Sequence, residues 1–229
     1  MQQITNYQEF LKELRKAGVS MSGDNDEGIF TLCDQFGEQI KWHTNEQETD
    51  PWEWRMRVLK EQSDIAYGKL FFGKGGFITS QWFPYLYVVR RGGKELEQEY
   101  QNGTISAAAR RIYTLLKEEQ ELPVHKIKEM LGFGKGKEER PAFDSAIVEL
   151  QMKLYILPFG EERKIAKSGE PYGWPAIVYG LSENFFDPQV ITEANKLSYE
   201  TAYHQLDQQL LLLNQEAKEN RRKKFILGE

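Results

Sequence analysis

Apolar positions recur at helical spacing in three consecutive stretches between Thr104 and Leu154. ISAAARRIYTLLKEEQ places Ile105, Ile112, Leu115 and Leu116 on one side and Arg110, Arg111 and Lys117 on the other. ELPVHKIKEMLGF repeats the pattern with Ile127, Met130 and Leu131, and Pro123 suits the start of that helix. After a break rich in glycine and lysine, GFGKGKEER, the residues Phe143, Ile147, Leu150 and Leu154 follow at spacings of four, three and four. Two β-prone segments, YILPFG and PAIVYGLS, close the unit across a charged loop, ERKIAKSGEPYGW. Helix, helix, helix, strand, loop, strand is the order of a winged helix-turn-helix.

The flanking segments carry their own periods. NYQEFLKELRKAG predicts an amphipathic helix with Phe10, Leu11 and Leu14 inward, Asn6 as its cap and Gly18 as its stop. GIFTLCDQF and EQIKWHTNEQ fit neither a helical nor a strand period. Asp50 before Pro51 marks another helix start, with Trp52, Met56 and Leu59 expected on its inner face. DIAYGKLFFGKGGFI, with glycines at 68, 73, 75 and 76 among aromatics, predicts a strand–turn–strand. SQWFPYLYVVRR is a helix or strand ending in two arginines, and EYQNGTIS a linker in which Thr104 or Ser106 can cap the next helix. Beyond Asp187, the residues Tyr199, Tyr203, Leu206, Leu210, Leu213 and Ala217 make an apolar seam that predicts one long helix, packed on the body or pairing two copies. The expected fold is α+β and mostly helical. It has an N-terminal helical and mixed domain over 1–103, a winged helix over 104–186 and a long C-terminal helix over 187–229.

Composition narrows the class. The 229 residues suit one large domain or two small ones. The one cysteine, Cys33, cannot make an intrachain disulfide, and its apolar flank IFTLC suits a small buried side chain. No apolar run of about 18 residues predicts a membrane span, and MQQITNYQEF lacks a secretory layout, so a cytoplasmic protein is expected. No metal or cofactor is expected. Asp24 to Gly28 departs from calcium-loop spacing, and Lys74 and Lys135 are each followed by Gly where a phosphate loop needs Ser or Thr.

Charge is unevenly placed. Residues 1–50 carry four basic and ten acidic side chains, whereas 51–94 carry eight basic and three acidic. The basic segment is also the most aromatic. Arginines there can hold phosphates while Trp or Tyr stacks on exposed bases. Candidate nucleic-acid contacts are Arg55, Arg57, Tyr67, Lys69, Lys74, Arg90 and Arg91, joined by Arg163, Lys164 and Lys167 on the wing. The alternative is that these cations pair with the acidic leading segment.

WEWRMRVLKEQSDIAYGKLFFGKGGFITSQWFPYLYVVRR resembles a stretch of the winged-helix DNA glycosylases of the AlkZ/YcaQ type. NGTISAAARRI is similar to that family's Gly-x-Ser-Ala step, and VYGLSENFF to its Tyr-x-Leu-(Ser/Thr)-Glu. The resemblance covers about residues 50–190 and is nearest to the small AlkZ-related proteins of bacteria. It implies tandem winged helices wrapped round DNA and excision of alkylated or crosslinked bases. The catalytic Gln-x-(Gln/Asp) motif of that family is not intact. The nearest stretch is Gln47-Glu48-Thr49-Asp50-Pro51, which leaves Glu48, Asp50 and Glu53 as carboxylates that could activate a water. Three readings stay open: a non-catalytic nucleic-acid binder, a protein-interaction or regulatory module with a C-terminal dimer seam, and a base-excision enzyme. The broken motif weighs against the third.

Overall fold

A computed structural model describes residues 3–133, 136, 139–166 and 168–229. The chain is α+β, with two antiparallel three-stranded sheets among the described residues. In chain order, the first region holds α1 (Tyr7–Ala17), β1 (Val19–Met21), a 3-10 turn (Leu32–Gln35), α2 (Pro51–Glu61), β2 (Ile65–Phe71), β3 (Lys74–Thr79) and α3 (Phe83–Arg90). Then come α4 (Leu96–Gln101), α5 (Ala107–Glu119), β4 (Glu121–Pro123), α6 (Val124–Leu131), α7 (Glu139–Met152), β5 (Ile156–Ile165) and β6 (Pro171–Leu181). A second 3-10 turn (Ser182–Asn184) leads to α8 (Pro188–Ala194), α9 (Tyr199–Leu213) and α10 (Glu219–Leu227).

The first sheet, in order β1-β3-β2, separates two cores by strand alternation. Ile65 and Phe77 face α1 and α2 with Tyr7, Phe10 and Trp54. Ala66, Leu70 and Ile78 face α3 and the C-terminal helices. The β2–β3 turn is Phe72-Gly73, with φ of 53° and 68°, which is the paired positive φ of a tight hairpin turn. The second sheet, in order β4-β6-β5, packs with α5 to α7 around Ile112, Leu116, Ile127, Phe143 and Leu150. Leu96 of α4 joins that core.

The caps read from sequence hold. The Asn6 side chain accepts from the Glu9 amide, and Gly18 ends α1 at φ 79°. The Asp50 side chain accepts from the Trp52 amide at the start of α2, and Ser106 caps α5.

Three expectations are corrected. The buried face of α2 is Trp54, Val58 and Leu59, with Trp52 45% exposed. Trp54 is drawn in because its indole N–H donates to the Gln47 carbonyl (3.0 Å) among the rings of Tyr7, Phe10 and Phe36. The charged segment after Phe159 is not mainly loop. β5 and β6 run on as a hairpin, still paired at Lys164 with Tyr172 and Ile165 with Pro171.

Residues 187–229 are three helices, not one. Ser198 restarts the helix by accepting from the Thr201 amide. Asn214 ends α9 by turning its side chain to the Glu216 amide and the Gly28 carbonyl. Arg222 then folds α10 back onto Asp207 of α9 (2.6 Å). Leu206, Leu210 and Ala217 of the seam lie in the chain's own core, so most of that seam is not available to a second copy.

Candidate nucleic-acid interface

Asp50 is a structural carboxylate. It is fully buried and accepts from the amides of Trp52 (2.8 Å), Thr44 (2.7 Å), Asn45 (3.0 Å) and His43 (3.1 Å). Burial alone would raise its pKa, but these four donors together hold it below the usual value. The loop that supplies them bends through positive φ at His43 and Asn45. Glu48 is engaged by Arg57 (2.7 Å). Glu53 lines a groove of about 470 Å³ with Gln47, Met56, Lys60 and the root of β5 at Phe159–Glu161.

The eight cations of 51–94 do not converge on one face. Arg57 holds Glu48 and Glu61 and lies over the Tyr7 ring. Lys74 bridges Asp26 and Glu27, both at 3.0 Å, so the acidic leading segment does lie across part of the basic one.

Arg90 and Arg91, expected as surface contacts, are buried, with 5% and 6% of their surface exposed. Arg90 donates to the carbonyls of Leu70 (2.7 Å), Met152 (2.7 Å), Phe225 (2.5 Å) and Ile226 (3.0 Å). Three of these belong to the last turns of α7 and α10, where helical carbonyls lack helical partners and the dipole favours a cation. Burial pushes the Arg90 guanidinium down to about 9, and it remains charged at neutral pH. Arg91 pairs with Glu183 (2.9 Å) and stacks on Tyr155 (4.0 Å). Ser182 donates to the Leu154 carbonyl. The Leu154 carbonyl also accepts from Arg91, so Ser182 and Glu183 of the sequence motif are part of the socket that holds α3.

Arg55 has the opposite setting. Its guanidinium lies 3.3 Å over the Trp52 ring and 5.8 Å from that of Tyr67. Its Nε donates to the Trp52 carbonyl (2.9 Å), and among the described residues nothing accepts from its terminal nitrogens. His43 packs against Trp52 (4.7 Å), and Trp42 against His43 (6.3 Å). Lys69 shares the Tyr67 face of β2 and is exposed, with its amide donating to Gln151 of α7 (2.9 Å).

Arg163 and Lys164 are exposed on β5. Lys167 lies outside the described residues. Sequence reasoning missed Trp174, which is 93% exposed. Between the pairs Glu162 with Ala176 and Lys164 with Tyr172, the single residue Arg163 faces three: Gly173, Trp174 and Pro175. This bulge, with Gly173 at φ 73°, aims the indole into solvent. The signal was a tryptophan between Gly173 and Pro175 at the end of a presumed loop.

The chain has eleven arginines. Nine find a carboxylate, or a carbonyl outside their own helix, as acceptor: residues 15, 57, 90, 91, 110, 111, 140, 221 and 222. Arg55 and Arg163 keep open terminal nitrogens among the described residues, and each has an exposed tryptophan beside it or across the strand pair.

These features define an α+β protein with an open arginine–tryptophan surface at α2 and along the second hairpin. A family model described as AlkZ related matches residues 4–227, and the chain belongs to the AlkZ-related family. No curated protein and no solved structure matches it. No helix among the described residues is long and apolar enough to cross a membrane.

Proposed function

We propose that this protein binds DNA without catalysis. In this reading residues 104–186 act as a winged helix-turn-helix whose wing is the β5–β6 hairpin. The order α5-β4-α6-α7-β5-β6 and the sheet order β4-β6-β5 support that assignment. Membership of the AlkZ-related family supports a role connected with DNA repair.

The observation that carries the reading is the pair of open arginines. A guanidinium already held flat against an indole presents its remaining N–H groups as a fork for phosphate oxygens. An exposed tryptophan offers a face on which an unpaired base can stack. Lys69, Tyr67 and Lys164 extend the two ends. The third helix is poorly suited to reading bases. Gln151 is buried, Lys153 is drawn to Glu99, and the exposed Asp144 would repel phosphate.

The test is binding of labelled duplex DNA carrying an unpaired stretch, measured across salt. Affinity should fall steeply as salt rises, and Arg55→Ala with Arg163→Ala should weaken it by about tenfold or more. Salt-independent affinity would remove the phosphate model.

One observation favours base excision as a second reading. Glu53 stays in an open groove beside the wing root, while Asp50 and Glu48 are engaged elsewhere. Release of an alkylated base by excess protein, lost in Glu53→Gln, would establish it.

A further inference from the structure

A separate group of cations lies where the β2–β3 turn meets α10. Glu27 grips two of them. One carboxylate oxygen is 3.0 Å from Lys74 Nζ, and the other pairs with Arg221. Asp26 takes Lys74 from a second side at 3.0 Å. The Arg221 guanidinium lies 5.6 Å over the Phe72 ring of the turn. Lys218, at the N-cap of α10, and Lys224, within it, stand three residues before and after Arg221, both exposed and without a carboxylate partner among the described residues. The acidic loop is bracketed by Gly23 and Gly28, and Asn214 donates to the Gly28 carbonyl at its end (3.1 Å).

We propose that Lys74, Lys218, Arg221 and Lys224 form a latent surface for the phosphate backbone of a nucleic acid, which Asp26 and Glu27 occupy as internal substitutes for phosphates. Asp26 is 92% exposed, so its pair with Lys74 contributes little, while Glu27, 12% exposed, is the firmer hold that an incoming polyanion must displace. The loop's tether gives it a high effective concentration, which a dense row of phosphates must exceed. The loop therefore sets a threshold that discriminates a polyanion from small anions. Displacement would also lengthen the first surface. The Tyr67 hydroxyl lies against Gly75, the residue after Lys74, where a built Cβ would come within 2.7 Å of it. Nucleic acid as the occupant rests on the DNA reading above. The masking of the cations does not.

The experiment compares wild type with Asp26→Asn/Glu27→Gln, using duplex DNA and inorganic polyphosphate as probes and thermal melting as the check on folding. The expected result is DNA binding about three- to tenfold tighter, with a salt slope steeper by about two. The gain should vanish when Lys74→Gln/Arg221→Gln is added, and should persist when Arg55→Ala/Arg163→Ala is added instead. Neutralising the exposed pair Glu118→Gln/Glu119→Gln changes net charge equally and should give a smaller gain. An absent gain, an equal gain in that control, or a gain that survives loss of Lys74 and Arg221 would each overturn the masked surface. A gain for polyphosphate alone would overturn nucleic acid as its occupant. If Arg55 and Arg163 prove dispensable while the gain stands, only the earlier reading fails.

Discussion

Arg55 and Arg90 stand near opposite ends of one aromatic-rich segment, and the fold treats them in opposite ways. Arg90 follows the last turn of α3 into the interior and donates to four carbonyls contributed by β2, α7 and α10. Arg55 lies on the outer side of α2, flat on Trp52, with its terminal nitrogens directed at no acceptor among the described residues. The difference is one of neighbouring acceptors. Where two helices end against a strand, unpaired carbonyls recruit the nearest cation inward. Where a helix presents its first turn to solvent, the cation stays outside and an indole organises it. Local density of positive charge therefore says little about which cations reach a ligand.

The comparison is sharpest in stability. Arg90→Ala leaves four buried carbonyls without a donor and should cost at least about 3 kcal/mol in denaturant unfolding. Arg90→Lys should recover only part of it, because an ammonium has three donors for four acceptors. Arg55→Ala should stay within about 0.5 kcal/mol of wild type. A similar loss for both would erase the distinction.

In binding the order reverses. Arg55→Ala/Arg163→Ala should lose about tenfold or more in DNA affinity at unchanged melting temperature. Trp174→Ala should lose about 1–3 kcal/mol of binding, read on DNA with an unpaired stretch and absent on fully paired duplex. An equal loss on both substrates would assign the indole to backbone contact.

Asp50 gives the smallest effect and tests the carboxylates. Its folded pKa is held below the unfolded value, so its stabilisation is fully present above about pH 4 and is lost as pH falls through the lower folded value. Asp50→Asn should cost about 1 kcal/mol at pH 7, and the gap to wild type should close in acid unfolding curves. A gap that widens in acid would contradict the four-donor cap.

Much of the scaffold was legible in sequence, because caps and periods are local. Asn6, Asp50 and Ser106 begin helices as read, and the glycines at 73, 75 and 76 belong to a hairpin. The site was harder. Arg90 is set by carbonyls up to 136 positions away in sequence, and no local pattern carries that. The seam over Tyr199 to Ala217 kept its spacing, yet Asn214 broke the helix by bonding a loop 186 positions earlier. Trp174 escaped notice because its exposure comes from a bulge, which depends on pairing register.

The most direct measurement is the salt dependence of DNA affinity for two double variants. Arg55→Ala/Arg163→Ala removes the open arginines, and Arg15→Gln/Arg57→Gln removes two cations already held by carboxylates. The account predicts a log–log slope shallower by about two for the first variant and unchanged for the second. Equal slopes in the two variants would contradict it.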